Sequence, residues 1–323
     1  MKSVVVGQAG LPLAAALAQR LEGDLVSVGF NQFSDTECYL KFHPNVSLAQ
    51  ATVFVVFQFS CGAKTGNCME GCLAAGSLND QLLGLFSLLD LLAQQGVAAV
   101  HLVLPYMPYS RQELSFDDGY QGAVYMLGRC LKALGVQSVF LCDAHEPSMS
   151  NNFPVSLHLI PMTDLWVSVA RSSILGQRGG DAWCVISPDE GGRNRAAALA
   201  QGLDLPTAFM RKKRVDVDEA HVRELVGSVQ GKRVLMIDDI VDTARTAQSA
   251  CALLKKQGAL SVVSCNTHAM VGVEAYQRLI NSGCERVFVT DTVTNENAQP
   301  HERLSIVPAS DFIVERIVGI IST

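Results

Sequence analysis

Short runs rich in Val, Ile and Leu recur along this chain, each followed by a polar cluster and then by a stretch with helical periodicity. The runs are Val4–Val6, Val53–Phe57, Ala99–Leu104, Ser138–Leu141, Trp183–Ile186, Val234–Ile237, Val262–Cys265 and Arg286–Val289. Near-continuous apolar runs of this length read as strands covered on both faces. Helical stretches lie between them, at Leu82–Gln95, Gln121–Leu134, Arg193–Leu203, Ala244–Gln257 and Val273–Ser282. Gly135 and Gly258 stand just past helix ends, where a left-handed residue stops a helix. Strand alternating with helix predicts α/β architecture, with mainly parallel sheets flanked by helices. The pattern repeats, with acidic residues at strand ends in both halves. Two similar domains are therefore expected, residues 1–152 and 153–323, with a junction near Asn151–Pro161. The tail Pro308–Thr323 reads as a helix able to pack back on either half.

Composition narrows the function classes. Hydrophobic residues make up 49% of the 323 and charged residues 17%, enough for large packed cores. The net charge of -6 gives no general attraction to nucleic acid or to an anionic membrane, so any phosphate site must be local. Ten cysteines without regular spacing read as reduced thiols and point to the cytoplasm. No apolar run reaches the length of about 18 residues that a membrane span needs. The opening "MKSVVVGQAGLPLAAALAQ" has the look of a signal peptide, but the recurring strand–turn–helix pattern favours a strand at Ser3–Val6 and a helix from Pro12.

In an open parallel sheet, ligands bind beyond the carboxyl ends of the strands, and six polar clusters occupy that position here. "VLMIDDIVDTART" (Val234–Thr246) runs from an apolar strand into Asp238, Asp239 and Asp242 and then a turn, Thr243-Ala244-Arg245-Thr246. Paired carboxylates can accept hydrogen bonds from vicinal hydroxyls or hold a cation. The turn opens a helix whose amides form an anion site. Helix capping would account for one Asp or Thr, though not for the acid pair. "SPDEGGRNR" (Ser187–Arg195) repeats the layout with Asp189 and two glycines. "MRKKRVDVDE" (Met210–Glu219) places four basic residues after a short strand; a solvated charged loop is the bland reading. "PYMPYSRQE" offers Arg111 as a phosphate clamp, "CDAHE" places His145 beside carboxylates, and "FNQFSDTE" combines an aromatic with two acids, able to stack on and bond a base.

Taken in order, "FSDTE", "PYMPYSRQE", "DAHE", "SPDEGG", "KKR" and "DDIVDT" resemble the ribose-phosphate pyrophosphokinase family, with "NTHAMV" and "VTDTV" matching later segments. The resemblance runs from Val4 to Ile317. It implies two phosphoribosyltransferase-like domains and a homo-oligomer built of dimers, up to a hexamer. It implies transfer of the β,γ-diphosphoryl group of ATP to the C1 hydroxyl of ribose 5-phosphate, with Mg2+. Carried over by position, Phe33, Asp35 and Glu37 would hold adenine, and Arg111 and Gln112 would touch the nucleotide. His145 and Asp189 would help bind Mg2+. Lys212 and Arg214, on a mobile loop, would stabilise charge on the transferred group. Asp238 and Asp239 would grip the ribose hydroxyls, and Asp242, Thr243, Ala244, Arg245 and Thr246 would form the 5-phosphate loop.

Three segments depart from the family pattern. The usual Thr-Gly-Gly-Thr turn carries Ala244 and Arg245, and Ala at a left-handed position is penalised through its Cβ. Leu114 replaces a frequent second arginine, and the acidic "SFDDGYQGA" follows it where members activated by phosphate are often basic. Cys61–Cys72 is an insertion in which Cys68 and Cys72 read as free thiols rather than a metal site. Two alternatives follow from these departures: the same transfer to a different 5-substituted ribosyl acceptor, or a catalytically silent regulatory homologue.

Overall fold

The computed structural model describes residues 3–8, 10–33, 37–42, 46–61, 76–112, 122–176, 182–215, 220–295 and 301–322. Asp35, Leu114 and its acidic successor, and the Cys68/Cys72 insertion lie outside these residues. By contact the chain divides into two compact units, changing from the first to the second at Ile160/Pro161. The first unit also takes Thr292–Glu296 and Pro308–Thr323.

The first unit opens with β1 (Ser3–Gln8), α1 (Pro12–Arg20), β2 (Asp24–Gln32), β3 (Cys38–Phe42), β4 (Thr52–Val56) and a short β5 (Ser60–Cys61). It continues with α2 (Leu78–Gln94), β6 (Ala99–Val103), α3 (Ala123–Ala133), β7 (Val136–Cys142) and β8 (Ser156–Ile160). Seven of these strands form one sheet in the order β3-β2-β1-β4-β6-β7-β8, parallel except for the β2–β3 edge. The capping box of α2 fixes its start: Ser77 and Asp80 bond each other's backbone amides.

The second unit runs α4 (Thr163–Val169), β9 (Trp183–Ser187), α5 (Arg193–Leu203), β10 (Thr207–Val215), β11 (Ala220–Val226), β12 (Arg233–Val241), α6 (Arg245–Lys256), β13 (Ser261–Ala269), α7 (Val273–Ile280) and β14 (Arg286–Thr290). After β15 (Thr294–Asn295), which pairs with β5 in the first unit, β16 (Leu304–Val307) closes its sheet. The order is β11-β10-β9-β12-β13-β14-β16, again parallel except at the β10–β11 edge. The final helix α8 (Ser310–Ile321) lies with the first unit, packed on α1. Its buried stripe Ile313, Val314 and Ile317 has the spacing of one helix face.

Both sheets thus have one topology, and in each the chain switches direction between two neighbouring parallel strands: β1 and β4 in the first, β9 and β12 in the second. Such a switch point is where loops part and leave a crevice. In the first unit the protein closes it. The Gln8 side chain donates Nε2–H to the Gln58 carbonyl at 2.9 Å and accepts the Gln58 N–H on Oε1 at 3.0 Å, both residues being buried. Gln81 from α2 holds Ser60 in the same two-point manner, at 2.8 and 3.1 Å. In the second unit polar side chains, Asp189, Glu190 and Thr246 among them, line a cavity at the ends of these strands.

Candidate active site

The loop after β9 is organised by Ser187, which is fully buried. Its hydroxyl donates to the Asp189 carbonyl at 2.6 Å and accepts the Asp189 N–H at 3.3 Å. Asp189 then accepts the Gly192 N–H on Oδ1 at 3.0 Å, drawing the loop onto the start of α5. A Cβ at residue 192 would collide with the Ser187 hydroxyl, so this close approach requires glycine.

β12 supplies the acids. The sequence ends this strand at Ile237, but it continues to Val241, because β13 runs beside it far enough to pair Asp238 with Asn266 and Ile240 with His268. Asp239 is buried, and Arg195 of α5 reaches it, with Nη1 3.4 Å from Oδ1. The Asp239 N–H donates to the Asp238 carboxylate at 3.0 Å.

Burial raises the Asp238 pKa well above its ordinary value, the neighbouring Asp239 and then Asp189 raise it further, and Arg195 opposes them. A raised carboxylate pKa means the folded state holds a proton that the unfolded state has released. Stability is therefore lost as pH rises from about 3.8 through the folded pKa. Asp238→Asn is expected to raise the unfolding temperature at neutral pH and to flatten its dependence on pH; an unchanged pH profile would remove Asp238 as its cause.

The turn after β12 keeps the left-handed geometry that glycine would favour. Ala244 sits at φ 57° and ψ 7°, and it is the N-cap residue of α6. It offers no side-chain cap, so neither Asp242 nor Thr243 is explained as the cap of this helix. The strain is offset by burial, since the Ala244 methyl belongs to the apolar cluster with Val241, Ala247 and Ala250. Arg278 of α7 donates to the Thr243 carbonyl and steadies the turn. Arg245 is exposed and begins the helix, where first-turn amides and the helix dipole favour an anion. Ala244→Val should destabilise the protein by about 2–4 kcal/mol, because it adds left-handed strain and overpacking. A midpoint unchanged in urea would contradict that.

A cavity of about 320 Å³ connects these parts, lined by Pro188, Asp189, Glu190, Gly191, Met210, Arg211 and Thr246. Asp189 and Thr246 therefore share one space, and Asp238 and Asp239 are linked to it through Arg195 and the field of Asp189. The basic segment expected as a loop is strand: β10 extends to Val215 and pairs antiparallel with β11, placing Lys212 opposite Arg223 and Arg214 opposite His221. That ladder satisfies the backbone the sequence left unpaired. Two arginines enter the site without having been singled out, Arg195 and Arg211. The signal for Arg195 was its place in the first turn of α5 after the two glycines; for Arg211 it was the basic run itself.

The remaining residues lie in the first unit, at the carboxyl ends of its strands. Phe33 follows β2 and is 55% exposed, its ring 4.4 Å from that of Tyr39, and its N–H donates to the Glu37 carbonyl at 2.8 Å. An exposed ring held by a neighbour suits stacking. Arg111 and Gln112 are exposed in a turn after β6, where Gln112 N–H donates to the Tyr109 carbonyl at 2.8 Å and Tyr109 has φ 64°. His145 is exposed in the turn after β7. Among the described residues, no group of three or more His, Cys, Asp or Glu could hold a metal ion unaided. One or two carboxylates completed by water and substrate phosphates is the way Mg2+ is ordinarily bound, and Asp189, which lines the cavity, is a carboxylate of that kind.

Residues 2–122 match the family model for the N-terminal domain of ribose phosphate pyrophosphokinase, and residues 172–301 match the phosphoribosyl transferase domain. The chain is 29% identical to a ribose-phosphate pyrophosphokinase of Methanopyrus kandleri, covering 98% of this chain and 99% of that one. It is 27% identical to that of Campylobacter jejuni over 96% and 94%. The crystal structure of phosphoribosylpyrophosphate synthetase from Mycobacterium smegmatis superposes with a TM-score of 0.82 at 23% identity, covering 100% of this chain and 99% of that one, and shows the same fold. With both domain models in order and relatives matched end to end, the chain belongs to the ribose-phosphate pyrophosphokinase family.

Proposed function

We propose that this protein is a ribose-phosphate diphosphokinase, transferring the β,γ-diphosphoryl group of ATP to the C1 hydroxyl of ribose 5-phosphate and releasing AMP. The observation that carries this reading is the switch point of the second sheet. An acid pair lies near the end of one strand, a left-handed turn opens a helix beyond it, and the Asp189 loop shares one cavity with Thr246 of that helix. Asp238 and Asp239 take the ribose hydroxyls, and Asp242 to Thr246 hold the 5-phosphate on the amides of α6. Phe33, Asp35 and Glu37 take the adenine, with Arg111 and Gln112 on the nucleotide. Asp189 and His145 serve Mg2+, which when bound neutralises phosphate charge. Lys212 and Arg214 stabilise the diphosphoryl group in flight. The attacking atom is the substrate's own hydroxyl, so the protein's task is positioning and charge neutralisation. The protein acts in the cytoplasm as a homo-oligomer built of dimers, up to a hexamer. No helix among the described residues is long and apolar enough to cross a membrane.

The test is AMP release from ATP with Mg2+, with and without ribose 5-phosphate, and phosphorus NMR of the sugar product. AMP that appears only with the sugar, with a diphosphate on C1, supports the reading. No AMP from folded protein that still binds nucleotide would turn it to a silent regulatory homologue. The exposed Arg245 at the head of the phosphate turn favours one second reading, an acceptor with a larger 5-substituent. Competition between ribose 5-phosphate and a 5-diphosphate ribosyl acceptor separates the two.

A further inference from the structure

The cavity between the two loops has a wall to which no role has been given. β10 contributes Met210 and Arg211 to it. Arg211 pairs directly across the ribbon with Glu224 of β11, its Nε 3.0 Å from Oε2, and the two side chains are 50% and 39% exposed. Glu224 takes only the Nε–H, and a guanidinium has four further N–H donors. Asp189 and Glu190 line the same cavity, and their carboxylates repel an anion. Arg211 is the one cation among the described residues that line it. A phosphate entering there meets Arg211 and, in the same lining, Thr246 of the turn after β12.

We propose that Arg211 binds a substrate phosphate in this cavity, and that Glu224 holds its guanidinium in place and is exchanged in part for the phosphate. The proposal rests on the functional reading above, and it names the acceptor's 5-phosphate as the partner because Thr246 shares the space. An exposed cross-strand ion pair contributes little to stability, so the ribbon does not need Arg211 to fold.

The experiment is calorimetric binding of ribose 5-phosphate, ribose and Mg2+–ATP to the full chain, for wild type, Arg211→Leu, Arg211→Lys and Glu224→Gln. Arg211→Leu is expected to weaken ribose 5-phosphate by about 10-fold or more and to leave ribose unchanged, since one charged hydrogen-bond partner is lost. Arg211→Lys retains part of the affinity. Glu224→Gln tightens phosphate binding, because a competitor for Arg211 is removed. A residue serving only the cross-strand pair would make Arg211→Leu and Glu224→Gln act alike, and that result overturns the proposal. A loss confined to ATP keeps Arg211 on a phosphate but assigns it to the nucleotide. Unchanged affinities for both ligands in Arg211→Leu, with an unchanged unfolding midpoint, also overturn it. Wild type that binds ribose 5-phosphate through Arg211 yet releases no AMP sinks the functional reading alone; wild type that binds neither ligand sinks both.

Discussion

Arg195→Met should lower stability by about 3 kcal/mol in urea denaturation, the largest loss expected of a surface-distant charge in this site. Its partner Asp239 has a side chain only 5% exposed, and Arg195 itself is 14% exposed, so the pair is nearly dry. Removing the guanidinium leaves a buried carboxylate short of a cation, which costs more than the pair contributes. The same change also removes the charge that pulls Asp238 down, so Asp238 is driven further towards its protonated form. Arg195→Met combined with Asp239→Leu should recover much of the loss, since the orphaned charge is gone. A single-variant loss below about 1 kcal/mol would place the pair among weak surface bridges instead.

Lys212→Ala is expected to reduce kcat for AMP formation by about 10²–10³-fold, the cost of removing one preorganised donor from a developing charge. Unfolding should be unaffected. Lys212 sits in the β10–β11 ribbon opposite Arg223, and its place there is held by backbone pairing that alanine preserves. Stopped assays at saturating substrate, paired with denaturation curves, check both halves of this expectation. A rate equal to wild type would remove Lys212 from the chemistry.

What the sequence made legible was the set of strands covered on both faces. Val4–Val6, Trp183–Ile186 and Val234–Ile237 are apolar throughout, and all lie inside β1, β9 and β12. The edges were not legible. β3 and β11 pair antiparallel at sheet margins, and β10 runs through four basic residues that look like a loop until a partner strand is present. Edge strands tolerate charge because one margin meets water. The loop residues of the site were readable by type and position, since acids at a strand end and small residues at a helix start have few other uses. Their partners were not. Arg195 meets Asp239 across 44 residues, and only the parallel pairing of β9 with β12 brings α5 over that acid. Ala244 shows a third case: its left-handed backbone conflicts with local preference, and the surrounding apolar cluster decides it.

The amide zip between Gln8 and Gln58 bears on counting rather than on chemistry. A chain built from two copies of one topology offers, on topology alone, two places for a sugar phosphate. In the first half a glutamine side chain already occupies the parting of the strands, imitating the edge of a peptide and satisfying both groups of the opposing residue. An incoming sugar would have to break two buried hydrogen bonds merely to recover their equivalent. Titration of ribose 5-phosphate should therefore saturate at one equivalent per chain.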